Sequence, residues 1–266
     1  MVARTGIVDR VDDEIEQPTE LYWDDVVDVI CAGTGPGALA QAIVCADLGL
    51  SVELAEAVAS SELSDPDTAA YLAAMTEDLG PLDRSSPELE LPVVHAAPVA
   101  PLTDRRTRIE PFVGSRLRDW SAQCVLSPFG LVYSAVPEAG VTAMRSDSGE
   151  SIRVAVLGPY QPDADRPGAA LADWLAEEAW ERDVAGHGLG LQRLIFEWGR
   201  VAGAAIDTTS GTRLIRARAG VALSTGAVPE DATWPVQPDL RDTAAQVAIV
   251  SRTGSRFGRV ELLVET

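Results

Sequence analysis

The stretch Asp28-Val29-Ile30-Cys31-Ala32-Gly33-Thr34-Gly35-Pro36-Gly37-Ala38-Leu39-Ala40 narrows the choice of fold more than any other part of the chain. Val29 to Ala32 is a short apolar run and reads as a buried strand. Gly33, Gly35 and Ala38 follow at the G-x-G-x-x-G/A spacing, and Leu39 to Leu48 continues as an apolar helix that Gly49 is placed to cap. Each small residue plays a separate part. Gly33 allows the tight turn, Gly35 lets backbone approach a pyrophosphate, and Ala38 lets helix and strand touch. The helix start would then offer free N–H groups and the positive end of its dipole to phosphates. Leu50 to Glu56 reads as a second strand, with Glu56 at the roughly 20-residue distance where an acid accepts hydrogen bonds from a ribose. The plainer alternative is an ordinary strand–helix–strand unit with a glycine turn.

Composition removes several function classes. With a formal charge of −20 the chain lacks the basic face that nucleic acid or an anionic membrane requires. All 21 basic residues are arginine, which excludes Schiff-base chemistry on lysine and a P-loop lysine. No apolar run reaches the roughly 18–20 residues of a membrane span. The acidic start, 1–20, lacks the order of a secretory signal, and the expected location is cytoplasmic. Cys31, Cys45 and Cys124 show no metal spacing and read as buried small hydrophobes; with His95 and His187 as the only histidines, no metal site is expected.

Taken in order, 1–20 reads as an acidic arm, and 58–185 as an inserted, partly irregular cap subdomain. Within it, Asp65 or Asp67 caps a helix from Thr68 to Leu79 that buries Leu72, Met75 and Leu79. An edge strand is expected around Val93-Val94-His95, with His95 a packing residue rather than a catalyst. Arg105, Arg106 and Arg108 read as local charge balance rather than an anion site. A helix over Gly114 to Gln123, a hairpin over Val141 to Leu157 turning at Asp147-Ser148-Gly149, and a helix over Ala169 to Arg182 complete the insert. Then Gly186-His187-Gly188-Leu189-Gly190 introduces a helix from Leu191 to about Ala202 with Leu194, Ile195 and Trp198 in the core; His187 is expected in a solvent-facing turn. Strands follow at Ala204–Asp207, Arg213–Arg218 and Val221–Ser224, then a linker at Pro229–Pro238 and a last hairpin pairing Val247–Val250 with Val260–Val264.

Three segments resemble the flavoprotein family of fumarate reductase, succinate dehydrogenase and 3-ketosteroid Δ1-dehydrogenase. They are Trp23-Asp24 through Ala40 closed by Gly49 to Glu56, then Gly188 to Asp207, then Leu214 to Gly226, which is similar to the family's strand ending in Ala-Thr-Gly. The resemblance covers about a third of the chain. It implies an α/β fold with a Rossmann-like FAD/NAD(P)-binding three-layer sheet, formed by 21–57 and 186–266, with the reduced cap between. It also implies that Gly33, Thr34, Gly35, Pro36, Gly37 and Ala38 line an FAD pyrophosphate, that Glu56 holds the ribose, and that Thr225 and Gly226 back the nucleotide.

The departures carry equal weight. The family has a glycine-rich stretch after the ribose acid, and Ala57 to Thr68 contains no glycine. The family's late segment over the flavin ring is not found before Thr266, and no catalytic residue maps. A flavin needs its ring walled and its N1 edge and N5 served by the protein. The expectation is therefore a flavoprotein-like subunit in which FAD binding is kept or lost, incomplete as a stand-alone catalyst. It would be a pseudoenzyme that acts with a partner subunit, in a homo- or hetero-oligomer, or as a non-catalytic binding protein. The enzyme alternative is an FAD-dependent dehydrogenase of a steroid-like or other apolar carbonyl substrate; an NAD-dependent reductase is a third reading.

Overall fold

A strand buried on both faces must be apolar throughout, and β1 (Asp25–Ala32) ends in three residues, Ile30, Cys31 and Ala32, with no exposed surface. The computed structural model describes residues 22–33, 35–57, 65–82, 91–99, 114–135, 139–161, 167–184, 186–226 and 245–266. From β1 the chain turns through Gly33 into α1 (Pro36–Asp47) and returns as β2 (Val52–Ala57), parallel to β1 with Val29 opposite Val52 and Ala32 opposite Ala55. Gly49, at φ 72°, donates to the Ala46 carbonyl (2.8 Å) and Leu50 to that of Cys45 (3.0 Å), which satisfies two carbonyls at the helix end.

The next described helix, α2 (Pro66–Thr76) with a 3₁₀ turn at Glu77–Leu79, starts where expected. Asp65 accepts from the Thr68 N–H (2.9 Å) and hydroxyl (2.6 Å). Only Thr68 is fully buried; Leu72 and Met75 pack half-buried. Then come β3 (Val93–Pro98), α3 (Gly114–Leu126), β4 (Gly130–Tyr133), β5 (Thr142–Ser146), β6 (Ser151–Tyr160) and α4 (Pro167–Glu181). The expected hairpin is present as β5 and β6, which turn at Gly149 with φ 80°. The expected edge strand is β3, but it is no edge: it pairs parallel with β11 (Phe257–Glu265) and antiparallel with β5.

The largest difference lies at 191–202, where the spacing predicts a helix. The chain instead forms β7 (Gly186–Glu197) and β8 (Arg200–Thr208), which with β9 (Gly211–Ser224) make an antiparallel meander. The cause is a register shift between Leu191 and Arg193. A bulge inserts one residue, so Leu191 and Leu194 reach the same core at a spacing that imitates a helix. Trp198, expected in the core, is 95% exposed in the β7–β8 turn, where it and Gly199 both have positive φ (53° and 72°).

β7 begins parallel to β2, and β9 runs parallel to β1 along its length, so β1, β2, β7, β8 and β9 pair in a ring. A second ring is formed by β3, β5, β6, β10 (Ala245–Ser251) and β11. β4 joins the two by pairing with β9 and β11, giving one eleven-stranded sheet in a mixed α/β protein. Strands β3 to β6, from the stretch 58–185, belong to this same sheet.

Alternation along the strands builds two cores. Val29, Cys31, Leu131, Tyr133, Leu157, Val247 and Leu262 face α1 and α4, while Ile30, Ala32, Val132, Val154, Ala248 and Leu263 face the other way, toward α3 and the meander. Trp120 fixes α3 on that second face: its indole N–H donates to the Phe257 carbonyl (3.1 Å), and the Arg252 and Arg259 guanidinium groups lie 4.7 and 5.3 Å from its ring centre. Among the described residues no helix is long and apolar enough to cross a membrane.

Candidate functional site

The glycine turn lies at the carboxyl ends of three parallel strands, since Ala32 of β1 stands beside Ala55 of β2 and Leu223 of β9. That is the edge at which open α/β sheets bind ligands. Gly33, at φ 135°, ends β1 and donates to the Ala55 carbonyl (2.9 Å). Gly35 is the N-cap of α1, with φ −84° and ψ 160°, and Pro36 takes the first helical position, where its missing N–H costs nothing.

What these small residues face is protein. A Cβ on Gly33 would stand 2.5 Å from the Cβ of Ser224, and one on Gly37 would stand 2.7 Å from the Gly130 carbonyl oxygen. A Cβ on Gly35 would run into the carbonyl oxygen of Gly226. Ala38 is fully buried. The glycines let the start of α1 cross the ends of β9 and β4 at backbone distance.

Ser224 completes the closure. Its hydroxyl accepts from the Ala38 N–H (2.8 Å) and donates to the Gly35 carbonyl (3.1 Å), so it caps α1 from another strand. Thr225 turns its hydroxyl to the Cys124 carbonyl at the end of α3 (2.8 Å), and its N–H donates to the Gly130 carbonyl (3.0 Å). Gly226 fits between Gly35 and Pro128, whose Cα would lie 3.0 Å from an added Cβ.

The fold thus brings Gly33, Gly35, Pro36, Gly37 and Ala38 together with Thr225 and Gly226. Thr34 lies outside the described residues. Glu56 lies on β2, and its side chain is likewise outside them. Ser224 carries no sign of its role in the sequence, because nothing in a strand ending Leu-Ser-Thr-Gly shows that its serine will cap a helix far away in the chain.

Tested against an FAD pyrophosphate, the described part of the turn offers two free N–H groups at the start of the helix. Of the N–H groups that open a helix, Pro36 has none and that of Ala38 is already bonded, which leaves Gly35 and Gly37. The space that Gly35 frees is filled by Gly226.

The described titratable groups give no activated nucleophile. Burial pushes the Cys31, Cys45 and Cys124 thiols up, and all three are free and buried. Hydrogen bonds from the Ser51 backbone and hydroxyl, then from Arg218, hold Asp28 below the usual carboxylate range; it ties β1 to the residue before β2 and to β9. His95 is exposed on β3, while the side chain of His187 and the cluster Arg105, Arg106 and Arg108 are outside the described residues.

No protein-family model matches the chain, and no curated protein matches it. Among solved structures it is similar to a 3-ketosteroid-Δ4-(5α)-dehydrogenase from Rhodococcus jostii RHA1 in complex with 4-androstene-3,17-dione. That match is 20% identical with a TM-score of 0.32, over 77% of this chain and 47% of the other. An open flavocytochrome c3 fumarate reductase matches at 14% identity and a TM-score of 0.31, over 73% of this chain and 33% of the other. The myxobacterial chondrochloren halogenase CndH, a variant of FAD-dependent halogenases, matches at 17% identity and 0.27, over 73% and 36%. The chain spans less than half the length of each.

Proposed function

We propose that this chain is a flavoprotein-like subunit whose Rossmann-type unit has become structural, and that it works through a protein partner rather than as a stand-alone catalyst. The parallel β1–α1–β2 unit with β9 alongside, together with the G-x-G-x-x-A turn, supports the nucleotide-binding ancestry. The observation that carries the reading is the closure of that turn by its own chain: Ser224 on the Ala38 N–H and the Gly226 carbonyl against Gly35. Redox work by a flavin would require the protein to wall the ring and serve its N1 and N5 atoms. The glycine-rich stretch that follows the ribose acid in the family this chain resembles has no counterpart in Ala57 to Thr68.

Tyr22, Trp180 and Trp198 are almost fully exposed, and aromatic side chains are enriched where protein surfaces meet. Trp198 is held in a backbone conformation that a bulky residue adopts only at a cost. On this proposal the site residues Gly33, Gly35, Gly37 and Ala38 are packing residues and FAD is lost.

The test is the cofactor content and the ligand response of the purified full chain. The expected protein is colourless, is not stabilised by FAD, ADP or NAD in a thermal titration, and is retained with a partner from its own cells. A yellow protein with stoichiometric flavin would instead overturn this reading and favour the FAD-dependent dehydrogenase alternative.

A further inference from the structure

A second feature lies at the other end of α1, beside Val29 and Gly220: a cavity of about 300 Å³. That is at the lower limit of small-molecule sites, which run from about 300 to 1,000 Å³. Its floor is a polar pair set in apolar surroundings. Gln41 on α1 and Tyr133 on β4 are 7% and 4% exposed, and the Tyr133 hydroxyl donates to the Gln41 carbonyl oxygen at 2.9 Å. The Gln41 amide donates to the Cys45 sulfur at 3.1 Å.

A carboxamide has two N–H donors, and a thiol is a weak acceptor. Among the described residues the Gln41 amide nitrogen bonds only to the Cys45 sulfur and the Tyr133 oxygen only to Gln41, so each keeps bonding capacity for a ligand. A buried polar pair with bonding capacity to spare is disfavoured against an apolar pair of the same shape unless something meets it. None of the described lining residues carries a charge, in a chain whose net charge is −20. Burial also keeps the Tyr133 phenol protonated by pushing it far above its ordinary value. The described part of the mouth is cut from small residues, Ala135, Ala139 and Ala219, and rimmed by Leu48, which is 42% exposed and packed against Gly140.

We propose that this cavity binds a small uncharged molecule, mostly apolar, whose single hydroxyl or carbonyl oxygen accepts from the Gln41 amide. A hydroxyl ligand also donates to the Tyr133 oxygen. The proposal is independent of the glycine turn, so the FAD titration and this test succeed or fail separately.

Phenol and cyclohexanol serve as probes on the full chain, with benzene as the counterpart lacking oxygen and benzoate as the charged one, each followed by saturation-transfer NMR and calorimetry. Saturable one-to-one binding of phenol or cyclohexanol is expected, at least about tenfold tighter than benzene, with benzoate excluded. The rim variants Ala139→Leu and Ala219→Leu, both at exposed positions, should abolish it. The double variant Gln41→Leu with Tyr133→Phe leaves no buried polar group unmet and should make phenol bind no better than benzene. Absence of saturable binding, binding that survives both rim variants, or equal binding of benzoate overturns the proposal.

Discussion

Gly35→Ala separates a packing turn from a ligand-binding one. At φ −84° and ψ 160° an alanine incurs no backbone strain, so its only effect is the added methyl. That methyl would collide with the Gly226 carbonyl oxygen and come within 3.1 Å of its carbon and 3.2 Å of the Ser224 Cβ. Two of these are backbone atoms at the end of β9, which cannot swing aside as a side-chain tip would. Ser224 meanwhile is held by its bonds to Ala38 and Gly35. Overpacking of this kind costs about 1–3 kcal/mol, with about 0.5–1 kcal/mol more for replacing glycine by alanine at an N-cap.

At about 2–4 °C per kcal/mol for a protein of this size class, the melting temperature should fall by roughly 3 to 16 °C. The assay is urea unfolding followed by circular dichroism, where the midpoint should drop and the slope should hold. Had the turn been open to a diphosphate, the same methyl would meet empty space in the free protein and cost nucleotide affinity alone. An unchanged midpoint, together with loss of FAD or ADP binding that the parent chain possessed, would refute the account of this turn as self-packed.

Four further outcomes are expected. Ser224→Ala removes the cap on the Ala38 N–H and should destabilise by about 0.5–2 kcal/mol, again read by urea midpoint. Leu171→Ala opens a cavity at a fully buried site where α4 faces the sheet and should cost about 2–5 kcal/mol. Trp198→Asn relieves the positive φ of 53° at an exposed position, so the variant should be at least as stable as the parent while partner capture falls. Alkali should unfold the protein: burial raises the Cys31, Cys45 and Cys124 thiols, so above about pH 8.5 the unfolded chain loses protons that the folded chain keeps. Stability is then full below that pH and declines above it, by up to about 1.4 kcal/mol per pH unit for each thiol. Replacing all three cysteines by alanine should flatten the decline.

Local signals were legible where one residue does one job. Gly49 ended α1, Asp65 capped α2 and Gly149 turned the β5–β6 hairpin because φ above zero or a short side-chain acceptor is needed there and few residue types supply it. Patterns that depend on a distant partner were not. The three-residue gap from Leu191 to Leu194 is produced by a bulge in β7, whose existence depends on its pairing with β8. Likewise β3, with prolines around it, reads as an edge, and only the return of β11 beside it from the far end of the sequence makes it internal.

The glycine turn shows the same limit at the level of function. A G-x-G-x-x-A pattern states that backbone must come close to something at three points, and it is silent on what arrives. A diphosphate and a second strand end make the same demand of Gly33 and Gly35, since both need the Cβ absent and the N–H groups turned outward. Here a strand end is what arrives: the Ser224 hydroxyl accepts from the Ala38 N–H, and the Gly226 carbonyl fills the gap over Gly35. An uncharged hydroxyl can take that role without a counter-charge, and the described turn holds no hydrogen bond from an arginine. On the function proposed above, Gly33, Gly35, Gly37 and Ala38 thereby serve to fasten β9 and β4 to α1.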